Sequence, residues 1–378
     1  MKVLFVATVR SHVGQFHMPF IKRLKELGCT VEAAYKDNSD KKKGLDTSAI
    51  DKVYEIPFTR TPYSFGNIKA YFKLKKIINA NHYDAIHCHT PMGAVITRLA
   101  ARKARKHGTK VIYTAHGFHF YNGASKKNWL IYYPVEKYLA KYTDCLITIN
   151  SEDYRLAKEQ FHCAGDILFV NGVGVELDRF VPKSEEEKRA LRLHYGYSED
   201  DFLMIYPADF CFRKNQMMLL KALETVLQKH KNVKLLLPGL QDFAEECRNY
   251  CDEHQLNDYV EFLGYRRDIY AFAGMCDLSL SSSRQEGLPI NLIEAMALGN
   301  PIVASDVRGN NDVVKDGVNG FLVKLNDSET MAEKICSLIE NREMLRSFSE
   351  AGLEMVQDYG VESVIEKMTG IYRSLDLV

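Results

Sequence analysis

The chain alternates short apolar runs with helical stretches, and it does so twice. KVLFVA (2–7), CTVEAAY (29–35), AIHCHT (85–90), KVIYTAHG (110–117) and CLITIN (145–150) read as strands in the first half. FLMIYPA (202–208), VKLLLPG (233–239), VEFLG (260–264), LSLSSS (278–283), PIVAS (301–305) and GFLV (320–323) restart the pattern in the second. The gaps carry apolar residues at helical spacing, as in GQFHMPFIKRLKELG (14–28), which predicts one helix closed by a glycine. Strands separated by helices pair in parallel, and a parallel sheet is covered by helices on both faces. The expected fold is therefore α/β, with two doubly wound parallel sheets facing a cleft. The join falls in VNGVGVELDRFVPKSEEEKRAL (170–191), where Gly172 and Gly174 mark turns. This predicts domains at 1–175 and 176–360, followed by a helical segment at 361–378. In such sheets ligands bind outside the carboxyl ends of the strands.

Length and composition agree with two ordinary domains: 378 residues, 46% hydrophobic and 26% charged. No apolar run is long enough to span a bilayer. MKVLFVATVR has no small-residue cleavage site and is soon followed by His12, Gln15 and His17, so it reads as a first strand and not a leader. The nine cysteines show no C-x-x-C pair and fit reduced thiols of a cytoplasmic protein. Cys247 and Cys251 share a helix face, but no second ligand pair accompanies them. KDNSDKKKG (36–44) reads as a flexible loop.

Charge is divided unevenly. Residues 1–175 hold 27 Lys and Arg against 14 Asp and Glu, and the remainder hold 23 against 35. The basic half mixes cations with aromatics, as in Lys69, Tyr71, Phe72, Lys73, Lys75 and Lys76, or Lys126, Lys127, Trp129, Tyr132 and Tyr133. Such a surface suits peripheral docking on an anionic membrane, at the inner face of the cell membrane. A solvated basic face that attracts anionic substrates is the plainer alternative. No nucleic-acid module is present, so nucleic acid is not an expected partner.

Polar chemistry gathers after the strands. In RQEGLPINLIEAMALG (284–299), Glu286 follows a strand, a Gly/Pro turn intervenes, and a helix begins near Leu288 to Asn291. The first amides of that helix lack intrahelical partners and can hold phosphate. Glu294 lies among apolar residues, where an ionised carboxylate needs a partner; a sugar diol can serve. The plain alternative is a helix-flanking acid and a surface acid. Arg213 and Lys214 follow a second-half strand and suit a diphosphate. TVRSHVG (8–14) brings Gly14 to a phosphate-approach position, though the dinucleotide G-x-G-x-x-G is absent. His87, His89, His116 and His119 fall at strand ends. H-x-H without a nearby carboxylate is a poor zinc signal, and no D-x-D stands out, so no metal is expected.

Glu286-x7-Glu294 within QEGLPINLIEAMALGNPIVAS resembles the Glu-x7-Glu motif of retaining glycosyltransferases of family 4, which have the GT-B fold of two Rossmann-like domains. VNGVGVELDRF, VEFLGYRRDI and DVRGNNDVVKDGVNGFLV are similar to further blocks of that family. TAHGFHFYNGASKKNWLIYYPVEKYLAKYTDCLITINSED (114–153) resembles transferases of bacterial exopolysaccharide, capsule and lipid-linked oligosaccharide assembly. The resemblance implies that Glu294 binds the ribose and Glu286 the donor-sugar hydroxyls. Backbone over Gly287, Leu288, Pro289, Ile290 and Asn291, with Lys214, would hold the diphosphate. Tyr265 and Arg266 would frame the base, Gly14 would let the first loop approach, and His116 would touch the sugar. The first domain would take the acceptor and the second the donor, with helix 361–378 crossing back to the first. One departure stands out: Asp209 occupies a position where the family commonly has Arg, and Arg213 is the candidate replacement.

The resemblance further implies transfer of a hexose or N-acetylhexosamine from a nucleoside diphosphate sugar, with uridine the expected base, to a glycan on a polyprenyl diphosphate. Retention, same-face attack and departure of the diphosphate without a metal or cofactor are expected, with domain closure excluding water. The rivals are a nucleotide-sugar epimerase of the same fold, a non-catalytic nucleotide-sugar-binding protein and a nicotinamide-dependent oxidoreductase. The missing glycine fingerprint disfavours the last.

Overall fold

Lys2–Val9 forms the first strand, β1, and its six interior residues are buried. Leu4 and Val6 point into one apolar cluster, while Val3, Phe5 and Ala7 point into another. Burial on both faces explains the unbroken apolar run. In this computed structural model, residues 1–39 and 44–378 are described; residues 40–43, inside the loop expected over 36–44, lie outside them. The chain divides into two units, one of Met1–Gly174 with Val361–Val378 and one of Val175–Gly360.

Among the described residues the first unit contains β1, β2 (Thr30–Lys36), β3 (Lys52–Glu55), β4 (Ala85–His89), β5 (Lys110–Ala115), β6 (Cys145–Thr148) and β7 (Asp166–Phe169). They pair in parallel in the order β3-β2-β1-β4-β5-β6-β7. The order reverses between β1 and β4, which opens a crevice at their carboxyl ends. β3 and β7, absent from the sequence expectation, are short edge strands with mostly exposed or half-buried side chains. An edge strand needs no continuous apolar run, so its sequence carries little signal.

The helix expected over 14–28 is two helices, Arg10–Phe16 and Met18–Glu26, joined at His17. Pro19 explains the break, since it has no N–H for the Gln15 carbonyl and its ring would collide with it. The last helix, Val361–Ser374, packs within the first unit. There the Tyr372 ring stands 5.0 Å from that of Phe20, and its hydroxyl is 3.0 Å from His87 Nδ1.

The second unit contains β8 (Phe202–Ile205), β9 (Val233–Pro238), β10 (Val260–Gly264), β11 (Leu278–Ser281), β12 (Ile302–Ser305) and β13 (Gly320–Val323). All pair in parallel, in the order β10-β9-β8-β11-β12-β13. The reversal lies between β8 and β11. Both units are thus Rossmann-like doubly wound sheets, as expected.

Candidate functional site

Because β8 and β11 are neighbours at the reversal, the loops leaving them meet. The β8 loop carries Arg213 and Lys214 towards the helix Gln216–Val226, and the β11 loop carries Ser283 and Glu286 towards the helix Ile290–Ala297. Glu286 is only 7% exposed. Lys214 Nζ donates to its Oε1 at 2.7 Å, Arg213 to its Oε2 at 2.6 Å, and the Ser283 hydroxyl to Oε1 at 2.6 Å. Tyr206 supports Ser283 through a 2.8 Å hydroxyl contact. Burial alone would push the Glu286 carboxyl up, but Lys214 and Arg213 outweigh it and hold the group below the usual range. Two cations on one carboxylate leave a unit of positive charge over, which suits a diphosphate.

Backbone pairing fixes the same loop. The Glu286 amide donates to the Arg308 carbonyl at 3.1 Å, and Arg308 Nε donates to the Glu286 carbonyl at 3.0 Å. Gly309 has φ of +85°, and a Cβ there would lie 3.0 Å from Glu286 Cβ and from the carbonyls of Glu286 and Gly287. Only glycine fits both demands.

The helix Ile290–Ala297 has no side-chain cap. The amides of Gly287, Leu288, Ile290 and Asn291 donate no hydrogen bond among the described residues. Pro289 has no amide hydrogen and can contribute shape alone. Asn291 Nδ2 is buried without a hydrogen-bond partner among the described residues. Leu292, Ile293 and Met296 turn into the core and leave Asn291 and Glu294 on the other face. Glu294 makes no hydrogen bond or ion pair among the described residues, and burial pushes its carboxyl up to about 7 against a partial opposing pull from Arg179. An acid shielded from water, without a hydrogen-bond partner among the described residues and one turn from free helix amides, is chemically suited to accept from hydroxyl groups.

Tyr265 follows β10 and is 70% exposed. Arg266 is held by Asp268 at 2.9 and 2.6 Å, with its guanidinium 4.5 Å from the Phe272 ring centre. Both precede the helix Ile269–Met275, whose Tyr270 ring lies 5.6 Å from the Arg179 guanidinium. Asp209 is exposed and accepts the Leu240 amide at 2.9 Å, so the acid itself serves a turn while Arg213 brings its charge to Glu286. A cavity of about 820 Å³ lies at the opposite, amino ends of the strands, beside Phe202, Val233 and Pro301. The convergent charges and the free amides are at the carboxyl ends.

In the first unit, Gly14 lies inside the helix Arg10–Phe16 and not in a loop. A Cβ on it would stand 3.1 Å from Leu45 Cβ, so its missing side chain lets Leu45 pack. His116 follows β5, and burial lowers its imidazole to about 4, leaving it neutral. Ser283, Tyr206, Arg308, Gly309 and Arg179 belong to the site and were not singled out from sequence. DVRGNND (306–312) held the one usable signal, a glycine beside an arginine.

Comparison with known proteins gives the family and the fold. The family described as Glycosyl transferases group 1 matches residues 187–355, and that described as Glycosyl transferase 4-like matches residues 2–150. EpsD of Bacillus subtilis (strain 168), assigned as a glycosyltransferase, is 41% identical over 371 residues, covering 98% of this chain and 96% of the relative. The UDP-Gal:alpha-D-GlcNAc-diphosphoundecaprenol alpha-1,3-galactosyltransferase of Escherichia coli is 24% identical over 319 residues, covering 82% of this chain and 80% of that one. The crystal structure of Anabaena HepE in complex with UDP and glucose superposes with a TM-score of 0.79 at 21% identity, covering 99% and 100% of the two chains. The chain belongs to the group 1 glycosyltransferases, is family 4-like in its first half, and has their GT-B fold.

Proposed function

We propose that the chain transfers a hexose or N-acetylhexosamine from a uridine diphosphate sugar to a glycan carried on a polyprenyl diphosphate, with retention at the anomeric carbon, in bacterial surface polysaccharide synthesis. The observation that carries the proposal is the pairing of Glu286, gripped by Lys214 and Arg213, with the unpartnered Glu294 around an uncapped helix start. The names of the Escherichia coli transferase and of the Anabaena complex supply the donor and acceptor chemistry.

In this proposal Glu294 accepts the ribose hydroxyls and Glu286 the sugar hydroxyls. Lys214, Arg213 and the amides of Gly287, Leu288, Ile290 and Asn291 receive the diphosphate, with Pro289 shaping the turn. Tyr265 frames the base, with Arg266 beside it. The first unit takes the acceptor, Gly14 and His116 keeping the roles implied by resemblance. As the C1–O bond to phosphate breaks, negative charge builds on the leaving oxygen, and the cations and helix amides stabilise it without a metal at the diphosphate. The acceptor hydroxyl attacks from the same face, forms the new C1–O bond and gives its proton to the departing phosphate oxygen.

The helix Phe65–Ala80 supports peripheral membrane docking of the first unit. Phe65, Ile68 and Phe72 are 83%, 53% and 63% exposed, and Lys69, Lys73 and Lys76 share that helix. Exposed apolar residues among lysines suit an anionic lipid surface, where a polyprenyl-linked acceptor resides.

The test is a thermal-shift screen of nucleotide sugars, followed by transfer of the stabilising sugar to a polyprenyl diphosphate glycan. A UDP-sugar should raise the unfolding temperature, since it binds only the folded state. Donor consumption with release of a free epimerised sugar, and no product on the acceptor, overturns the transfer reading.

A further inference from the structure

Five histidines gather at the carboxyl edge of the first sheet, and four of them differ from the fifth. His12 and His17 come from the broken helix after β1, His89 ends β4, and His116 follows β5. These strands flank the reversal of the first sheet, the counterpart of the position that gathers Lys214 and Glu286 in the second. His17 stacks on His89 at 3.7 Å between ring centres, and His12 meets His116 edge-on at 4.6 Å. His116 Nε2 lies 3.4 Å from His89 Nδ1.

The fifth, His87, is an ordinary core histidine. Its Nδ1 is 3.0 Å from the Tyr372 hydroxyl and its Nε2 is 2.8 Å from the Thr114 hydroxyl, so both nitrogens are used. By contrast, Nε2 of His12, His17 and His89 are each buried with no hydrogen-bond partner among the described residues. Native proteins rarely leave three such atoms orphaned in one place. Ligand-capable nitrogens of His12, His17, His89 and His116 all lie within 4.8 Å of one another. A tetrahedral zinc ion with bonds near 2.0–2.1 Å needs its nitrogens about 3.4 Å apart, so the stacked His17 and His89 rings turn for both to aim a lone pair at one ion.

We propose that His12, His17, His89 and His116 form a binding site for one divalent transition-metal ion, zinc in the first instance. Imidazole nitrogens suit zinc, copper, iron and nickel, a set of four matches the coordination number zinc prefers, and magnesium and calcium are excluded by ligand type. Burial, reinforced by the neighbouring histidines, lowers the imidazoles of His12, His17 and His89, so they are neutral and offer lone pairs. The ion ties the Pro19-broken helices to the ends of β4 and β5. His116 turns Nε2 to the cluster. The site is separate from the diphosphate chemistry proposed above, and metal binding is measured without turnover.

The experiment uses the full-length chain without a histidine tag. It is loaded with zinc chloride or cobalt(II) chloride, dialysed, and analysed by elemental mass spectrometry. One equivalent of zinc per chain should be retained, and the cobalt form should show the visible absorption of a four-coordinate nitrogen site. A chelator should remove the ion and lower the unfolding temperature. His12→Asn and His17→Asn should each lose the stoichiometric metal and the cobalt band with the circular dichroism spectrum kept, whereas His119→Ala should retain both. His12 is the less buried, so His12→Asn decides if His17→Asn fails to fold. Retention of less than about a tenth of an equivalent by the wild type, or full retention by His12→Asn, overturns the proposal.

Discussion

Replacing Glu294 with glutamine should strengthen the fold at alkaline pH while weakening the proposed nucleotide site. The carboxyl is raised from 4.5 to about 7, chiefly by burial, with Arg179 only partly opposing. At about 1.4 kcal/mol per unit, ionising Glu294 in the folded chain costs about 3 kcal/mol more than in the unfolded chain. The sign follows from proton counting. Below pH 4.5 both states hold the proton and there is no penalty. Between 4.5 and 7 the folded chain keeps a proton that the unfolded chain has lost, so the penalty grows with pH and is complete above 7. Glu294→Gln keeps the shape and removes the charge. Its unfolding midpoint should match the wild type near pH 4.5 and exceed it at pH 8. UDP-glucose binding should move the other way, because its diester diphosphate does not titrate in this range and only the ionised carboxylate accepts two ribose hydroxyls. Wild-type affinity should be about tenfold weaker at pH 6 than at pH 8, and the variant should be weak at both. Calorimetry and denaturant melts at the two pH values give both readouts. A variant no more stable than the wild type at pH 8, together with pH-independent wild-type binding, refutes the claim that a ligand resolves an uncompensated acid.

Other positions make independent demands. Lys214→Ala removes a cation on Glu286 and, in the proposed mechanism, on the leaving diphosphate; transfer should slow by tens- to thousands-fold, checked by initial rates. Gly309→Ala forces a side chain into positive φ at 3.0 Å from three Glu286 and Gly287 atoms, and should cost at least about 1 kcal/mol in unfolding as well as donor affinity. Arg98→Met leaves Glu136 buried without its 2.7 Å partner and should destabilise the first unit by about 3–5 kcal/mol in denaturant melts. Phe65→Ser with Phe72→Ser should abolish low-salt sedimentation with anionic vesicles while leaving the melting profile unchanged.

What the sequence revealed divides along a physical line. Central strands such as β1 and β11 are buried on both faces, so their composition alone announces them; β3 and β7 are edges and do not. Glu294 was legible because an acid among Leu, Ile and Met contradicts its surroundings, and that contradiction persists in the fold as a raised carboxyl. The partners of Glu286 at 308 and 309 are set by a loop 22 residues away, and local spacing carries no trace of that pairing. The histidines show the same limit most sharply. Sequence proximity joined His87 to His89 and His116 to His119, yet Tyr372, 285 residues along the chain, takes His87 out of the set, and His119 instead stacks on Tyr132 at 4.6 Å. The residues that replace them are His12, inside the first of two helices and before the stretch predicted as one, and His17, at the break that Pro19 follows. A ligand set made by a helix break and a strand reversal cannot be read from spacing. It can be read from nitrogens left without partners among the described residues, and Glu294, with no hydrogen bond or ion pair among them, stands out on the same ground; Glu286 stands out by the opposite sign, the three donors that converge on it.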